Sequence, residues 1–187
     1  FVIIFAFICM FPFLNTFANA FSDNHAIIAG KVTIFPVGFQ LDAFKFVVRN
    51  TAVRNSLLIT VFVTVAGTVF NMVLTILTAY PVSRKYLKGR QTIMMFFIIT
   101  MLFSGGLIPN YLLVKKLNLI NNLLSIILPT AINTFNLIVL KTFFQSIPDE
   151  IEESAKIDGC NNFHILTLIV LPLSIPSIAT LSLFYAV

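Results

Sequence analysis

The sequence predicts an all-α protein embedded in a membrane, and its composition and charge distribution carry this prediction. Of its 187 residues, 58% are hydrophobic and only 10% are charged, and the mean hydropathy is +0.99. Soluble domains carry about 25% charged residues, so this chain lacks the polar side chains needed to cover a globule. Disorder is excluded as well, because disordered segments are poor in aromatic residues and this chain has 21 Phe.

Charged residues are absent from five long stretches of the chain, which are residues 1–22, 55–83, 91–114, 117–140 and 159–187. About 20 apolar residues in a helix cross the hydrocarbon core of a bilayer. A helix also satisfies every backbone N–H within its own segment. We therefore expect a polytopic membrane protein with five transmembrane helices.

The first stretch, residues 1–22, is predicted to be a truncated first transmembrane helix. It begins with Phe1 rather than Met, and no basic residue precedes the apolar run. At the other end, no polar residues follow the last apolar stretch, which ends in Tyr185-Ala186-Val187. We therefore expect a fragment of a longer protein. Ala18-Asn19-Ala20 has the form of a signal-peptide cleavage site, but the missing basic region and Pro12 favour the truncated helix.

Residues 23–54 are predicted to form an external loop. Gly30, Pro36 and Gly38 interrupt it, and residues 44–50 have the pattern of a short interfacial helix.

The second span, about Leu57–Tyr80, is predicted to close at Pro81, and a dense basic loop follows it (Arg84, Lys85, Lys88 and Arg90). Such a cluster between two spans is typical of the cytoplasm. By alternation, residues 115–122 form an external turn, residues 145–163 are cytoplasmic, and the last span runs outward. Six Lys and Arg residues then lie on each side of the membrane. The orientation of the chain in the membrane therefore depends only on the high density of basic residues in the short loop 84–90.

Two features inside the spans leave alternatives open. Ser104-Gly105-Gly106, followed by Pro109, predicts an interruption of the third helix near its outer end. Such a break lines a cavity in some transporters but is also ordinary in membrane helices. Asn71, Asn133 and Asn136 either form hydrogen bonds between helices or line a hydrophilic path.

Several kinds of site are not predicted. The four later spans contain no Asp, Glu, Lys or Arg, so they offer no intramembrane ion relay. The chain lacks a P-loop, G-x-x-x-x-G-K-[ST], so energy for uphill transport would come from another polypeptide. Cys9 and Cys160 imply no disulfide framework, and Cys160 with His164 lacks a second pair to complete a metal site.

The segment 146–159 has the pattern of a complete short helix. Ser146 is a candidate cap, Pro148 suits the first turn, and Gly159 suits the position just past the end. Acidic residues occupy the electropositive first turn, and Glu152 is spaced to pair with Lys156. One narrow apolar stripe recurs every four residues (Ile147, Ile151 and Ala155).

A helix this short is marginal alone in water, so it needs a support. One interpretation is an amphipathic connector on the membrane surface. The acidic face argues against it, because the inner leaflet is anionic and surface helices there are usually basic. Docking into a groove of another protein is the favoured interpretation.

The spacing in this region resembles the EAA loop of permease subunits of bacterial ATP-binding-cassette importers. That pattern is Glu-Ala-Ala, three residues, Gly, nine residues, Ile, one residue, Leu-Pro. Glu153-Ser154-Ala155, Gly159, Ile169 and Leu171-Pro172 match it, with Ser154 as the only departure. Residues 103–109 and 153–159 are also similar to the carbohydrate-uptake branch, namely the maltose-type second permease and the polysaccharide permeases.

The resemblance implies a fold with six transmembrane helices, both ends cytoplasmic, in the bacterial plasma membrane. Residues 55–187 would be the type-1 transmembrane domain, truncated before the sixth helix, with its coupling loop at 146–172. The implied partners are a second permease subunit, two ATPase subunits that bind the ATP, and an external solute-binding protein. The chain itself would hold no cofactor and no metal.

The resemblance also assigns coupling to the ATPase to five residues of this chain (Glu153, Ser154, Ala155, Asp158 and Gly159). Glu153 would face basic or polar groups in an ATPase cleft, Ala155 would keep the packing close, and Gly159 would let the chain leave the helix. The expected function is import of an oligosaccharide or a polysaccharide-derived sugar. A permease for another solute, a self-sufficient channel or carrier, and a non-transport scaffold remain alternatives, and no solute contact is assigned.

Overall fold

The computed structural model describes residues 1–103 and 105–187, the side chains of residues 2–4 excepted, and the regular elements of these residues are all helical. In chain order the α-helices begin with α1 (Val2–Ala20), α2 (Asn24–Ile28), α3 (Asp42–Arg49), α4 (Thr51–Ser83), α5 (Arg90–Leu102) and α6 (Leu107–Lys116). They continue with α7 (Leu124–Ile127), α8 (Thr134–Ser146), α9 (Asp149–Ile157), α10 (Asn162–Ile165), α11 (Leu171–Leu173) and α12 (Ile175–Ala186). A 3₁₀ turn, Leu128–Thr130, follows α7, and a π-helical turn, Leu166–Val170, joins α10 to α11. The all-α prediction is confirmed for the described residues.

The chain divides into two compact units, Phe1–Thr60 and Val61–Val187, with the boundary inside α4. In the first unit, the polar stretch after α1 folds back onto that helix. Asn15 Nδ2 donates to the Thr33 carbonyl at 2.7 Å, and the Val37 N–H donates to Ser22 Oγ at 3.0 Å. The short helix predicted at residues 44–50 is present as α3, and its Phe44 ring lies 5.0 Å from that of Phe21.

One helix of the described chain, α4, is by itself long and apolar enough to cross a membrane. Three further pairs of helices qualify if each bent pair is one span: α5 with α6, Leu124–Thr130 with α8, and Asn162–Leu173 with α12. The bends of the last two pairs are 54° and 83°. The first helix contributes a shorter apolar segment, Phe5–Ala20.

These bends show where the sequence prediction needs correction. The predicted break in the third span is confirmed, since α5 ends at Leu102 and α6 begins at Leu107, although Ser104 lies outside the described residues. Breaks before Thr134 and at Ser174 were not predicted, because an uncharged apolar stretch does not reveal a local cap or bend. The closure of the second span at Pro81 is wrong by two residues, since α4 continues to Ser83.

The core of the second unit lies where α4, α8 and the helices after α9 meet. Leu137, Leu140, Phe144, Ile165 and Leu181 are all at most 1% exposed. Outside this small core, large apolar side chains point outward along most helices. That arrangement suits a hydrocarbon environment, in which exposed apolar side chains cost no free energy.

A polar tie joins three helices of this unit. The Tyr185 hydroxyl of α12 lies 2.7 Å from Thr75 Oγ1 of α4, and it accepts the Asn133 N–H at 3.1 Å. The Asn133 side chain accepts from the Asn136 N–H and so caps α8. Asn133 therefore serves the start of its own helix as well as a contact between helices, while Asn136 is buried and Asn71 Oδ1 is buried without a hydrogen-bond partner among the described residues.

Replacing Tyr185 with Phe removes both contacts of this hydroxyl while keeping the ring. We expect a loss of about 1 kcal/mol in stability, the usual scale of a hydrogen bond between membrane helices. Thermal unfolding of the full-length protein in detergent measures this loss. Tyr111→Phe is the matched control, because Tyr111 is 55% exposed, and equal shifts in the two variants would contradict the tie.

Candidate functional site

The segment singled out by its spacing forms α9, a nine-residue helix that begins at Asp149. Its cap is Pro148, whose extended backbone starts the helix without a side-chain hydrogen bond. The predicted cap by Ser146 is wrong, because the Ser146 hydroxyl donates to the Phe143 carbonyl at 2.7 Å and so closes the preceding helix. The acidic first turn is confirmed, with Asp149, Glu150 and Glu152 beside the free N–H groups.

The end of α9 is as the sequence predicts. Gly159 has φ +84°, a left-handed backbone that favours glycine. Its N–H donates to the Lys156 carbonyl at 3.1 Å, and the Cys160 N–H donates to the Ala155 carbonyl at 2.9 Å. These two bonds form a Schellman motif, which fixes the direction in which the chain leaves the helix.

A buried ion pair holds one face of α9 to the end of α4. The Glu152 carboxylate pairs with the Arg84 guanidinium, and both residues are 4% exposed. Arg84 Nη1 also donates to the Phe144 carbonyl at 3.3 Å, and the guanidinium lies 4.9 Å from the centre of the Tyr80 ring. Burial raises the pKa of the Glu152 carboxyl, against the opposing effect of Arg84. The pair is therefore desolvated, which makes each partner depend on the other.

Two exposed contacts accompany the buried pair. Lys85 Nζ donates to Asp149 Oδ2 at 2.7 Å, which raises the pKa of Lys85 and lowers that of Asp149. Lys156 Nζ lies 4.9 Å from the centre of the Tyr86 ring. The predicted pairing of Glu152 with Lys156 is therefore wrong, because both side chains point to the 84–86 segment. A charge pattern along one helix cannot reveal a competing partner 68 positions earlier in the chain.

The side of α9 away from the buried pair is open, and Glu153 lies at its edge, where it lines a cavity with Arg84 and Lys85. Glu153, Ser154 and Asp158 are exposed, as is Gly159, while Ala155 is 7% exposed and packs into the core. Of the predicted apolar stripe, Ile147 is buried with Ala155, but Ile151 is 40% exposed. The structure thus brings the five predicted residues together on or just after one short helix, four of them facing outward.

Three residues of this site were not singled out by sequence reasoning. In the sequence Arg84 is one member of a basic loop, and Glu152 is one of the acids near the start of the helix and a candidate partner for Lys156. Ile157 is 87% exposed on α9, beside Glu153 and Ser154. A single exposed apolar residue is ordinary on a protein surface, so the sequence carries no distinct signal for Ile157.

The described residues thus combine a helical fold, with at least one helix long and apolar enough to cross a membrane, and a short acidic helix fixed to it by a buried ion pair. The chain belongs to the family of the binding-protein-dependent transport system inner membrane component, whose model matches residues 47–187. The match includes α4 through α12 and therefore all of the site.

Individual relatives agree with this membership. The chain is 51% identical over 187 residues to the polygalacturonan/rhamnogalacturonan transport system permease protein YtcP of Bacillus subtilis, and 46% identical over 180 residues to protein LplC of the same organism. It is 29% identical over 183 residues to the diacetylchitobiose uptake system permease protein DasC of Streptomyces coelicolor. The alignments cover 100%, 96% and 94% of this chain and 65%, 61% and 65% of those relatives.

A solved structure shows the same fold. The chain superimposes with a TM-score of 0.91 and 32% identity on a crystal structure of a bacterial ABC transporter involved in the import of the acidic polysaccharide alginate. The match covers 99% of this chain and 66% of that one. The chain thus spans about two thirds of the length of these relatives.

Proposed function

We propose that the chain is part of a membrane-spanning permease subunit of an ATP-driven importer. The observation that supports the proposal is the way α9 is held. Its inner face is bound to the end of α4 by the ion pair of Arg84 with Glu152, while Glu153 and Ser154 are exposed. A support of this kind transmits a push on the helix to the end of a long apolar helix. Family membership over residues 47–187 agrees with it.

In this proposal the protein lies in the bacterial plasma membrane with five spans among the residues given, and α9 faces the cytoplasm. The partners are a second permease subunit, two ATPase subunits and an external solute-binding protein. The ATPase subunits bind and hydrolyse ATP, and each receives one coupling helix. When the ATPase dimer closes, the coupling helices approach each other and the permease changes the side on which its pathway is open.

The proposed solute class is a carbohydrate, and acidic oligosaccharides are the first candidates to test. This choice is supported by two relatives, the permease for polygalacturonan and rhamnogalacturonan and the importer for the acidic polysaccharide alginate. The proposal assigns no solute contact within the chain.

Uptake by the reconstituted system tests the function. Full-length permease with its partners, placed in proteoliposomes, should import labelled oligogalacturonide only when both ATP and the binding protein are present. A neutral disaccharide is the matched control solute. Flux without ATP would contradict the proposal and favour a self-sufficient channel or carrier, and ATPase binding without any solute dependence would favour a scaffold.

A further inference from the structure

A second polar feature lies apart from α9, in a cavity between α5 and α8. The cavity has a volume of about 270 Å³ and opens to the outside. Two basic residues line it, Arg90 of α5 and Lys141 of α8. Met94, Met95 and Ile98 form its apolar part, so cationic and apolar groups occupy the same cavity.

The cations of this cavity lack a counter-ion among the described residues. Arg90 Nη1 is buried without a hydrogen-bond partner, and the cavity lining includes no Asp or Glu. The ion pairs of the described chain involve other cations, namely Lys45, Arg84 and Lys85. A buried guanidinium N–H without an acceptor is unfavourable, and a bound anion removes that cost.

The geometry places the cavity at the end of a membrane helix. Arg90 is the first residue of α5, which forms a candidate span together with α6. Further along α5, Met95 is 63% exposed and Ile98 is 42% exposed. The order of groups is therefore cation first and apolar surface next, as in an anionic headgroup followed by its acyl chains.

The helices α5 and α8 pack side by side and run antiparallel. Thr134, at the start of α8, donates to the Phe97 carbonyl near the end of α5 at 3.3 Å. Lys141, further along α8, lines the cavity with Arg90 at the start of α5. The two cations thus converge from antiparallel helices on one opening.

We propose that this cavity binds the phosphate group of an anionic phospholipid, with Arg90 and Lys141 contacting the phosphate and Met95 and Ile98 contacting an acyl chain. The inference rests on the proposed function only in placing these helices in a membrane. It requires neither transport nor ATPase binding, so it can fail or succeed independently of them.

Native mass spectrometry of the full-length protein in detergent, titrated with dioleoyl phosphatidylglycerol, tests the site. The wild-type protein should retain this lipid in preference to dioleoyl phosphatidylcholine. Arg90→Ala with Lys141→Ala should weaken phosphatidylglycerol binding about thirtyfold, given the contribution of each of the two basic residues to anionic lipid binding. Lys115→Ala with Lys116→Ala is the matched control, since it removes the same charge from exposed positions and should leave binding unchanged.

A further variant and a competing ligand test the same cavity independently. Met95→Glu places a carboxylate at the exposed mouth of the cavity and should also weaken binding, while both half-buried cations stay in place. Glycerol 3-phosphate, which has the phosphate but no acyl chain, should compete poorly. Unchanged lipid binding in Met95→Glu and in the Arg90 and Lys141 variant would overturn the proposal, and equal binding of glycerol 3-phosphate would assign the cavity to a soluble phosphate instead.

Discussion

Replacing Arg84 with Ala is expected to destabilise the unit Val61–Val187 by about 3 kcal/mol, because loss of one partner leaves a buried charge uncompensated. The charge left behind is the carboxylate of Glu152, which is 4% exposed. Loss of Arg84 also removes the hydrogen bond to the Phe144 carbonyl and the contact with the Tyr80 ring. Thermal unfolding of the full-length protein in detergent checks this result, with uptake measured on the same variant in proteoliposomes.

Two controls separate the buried pair from the loss of positive charge. Lys85→Ala removes a cation whose pairing with Asp149 is exposed, and exposed pairs contribute little, so its unfolding temperature should stay near wild type. Arg84→Met with Glu152→Leu removes both charges and should recover most of the lost stability. Unfolding of Arg84→Ala at the same temperature as Lys85→Ala would contradict a structural role for the pair.

Replacing Glu153 with Lys is expected to abolish uptake while leaving the permease in the membrane at its normal level. Glu153 is exposed on α9 at the edge of a cavity that Lys85 also lines, so its long replacement can turn into water and the buried core stays intact. In the proposed complex the new cation would face the groups that receive a carboxylate, and a like-charge contact of this kind costs several kcal/mol. Binding of the ATPase subunits should weaken by about a hundredfold or more.

Uptake, membrane level and co-purification of the ATPase subunits measure this effect together. Asp42→Lys is the matched control, because it makes the same change of charge at an exposed position of α3 and should leave all three unchanged. Gly159→Pro is a second variant that acts on the same helix through its end, since it removes the N–H that bonds to the Lys156 carbonyl. Wild-type uptake by Glu153→Lys would refute the coupling role.

The helix of the site was predictable because its signals are local. Four acids, a proline before them and a glycine after them lie within 12 residues, and each acts on backbone groups of its own neighbourhood. The left-handed backbone of Gly159 follows from the same local rules. For this reason the helix and its end agree with the prediction, whereas the cap by Ser146 does not, because the hydroxyl could bond to either of two adjacent helices.

The support of the helix was not predictable, because it depends on a contact between distant residues. The sequence offers Glu152 a partner four residues away in Lys156, and it gives no sign that the folded chain brings Arg84 closer. The bends in the later spans were missed for a related reason. Apolar composition determines where a segment can cross a membrane, but Asn133 as a cap and Ser174 at a bend act through backbone geometry.

Crosslinking from α9 tests the docking of this helix most directly. All native cysteines of the full-length protein, Cys9 and Cys160 among them, are replaced by Ser. A single cysteine is then introduced as Ser154→Cys on the open side of α9, or as Lys116→Cys at the exposed end of α6 for comparison. With a short bifunctional reagent in the whole complex, Ser154→Cys should crosslink to an ATPase subunit, and Lys116→Cys should not. Crosslinking of Lys116→Cys alone, or no crosslink to the ATPase from Ser154→Cys in an assembled and active complex, would contradict the role of α9 as the coupling helix.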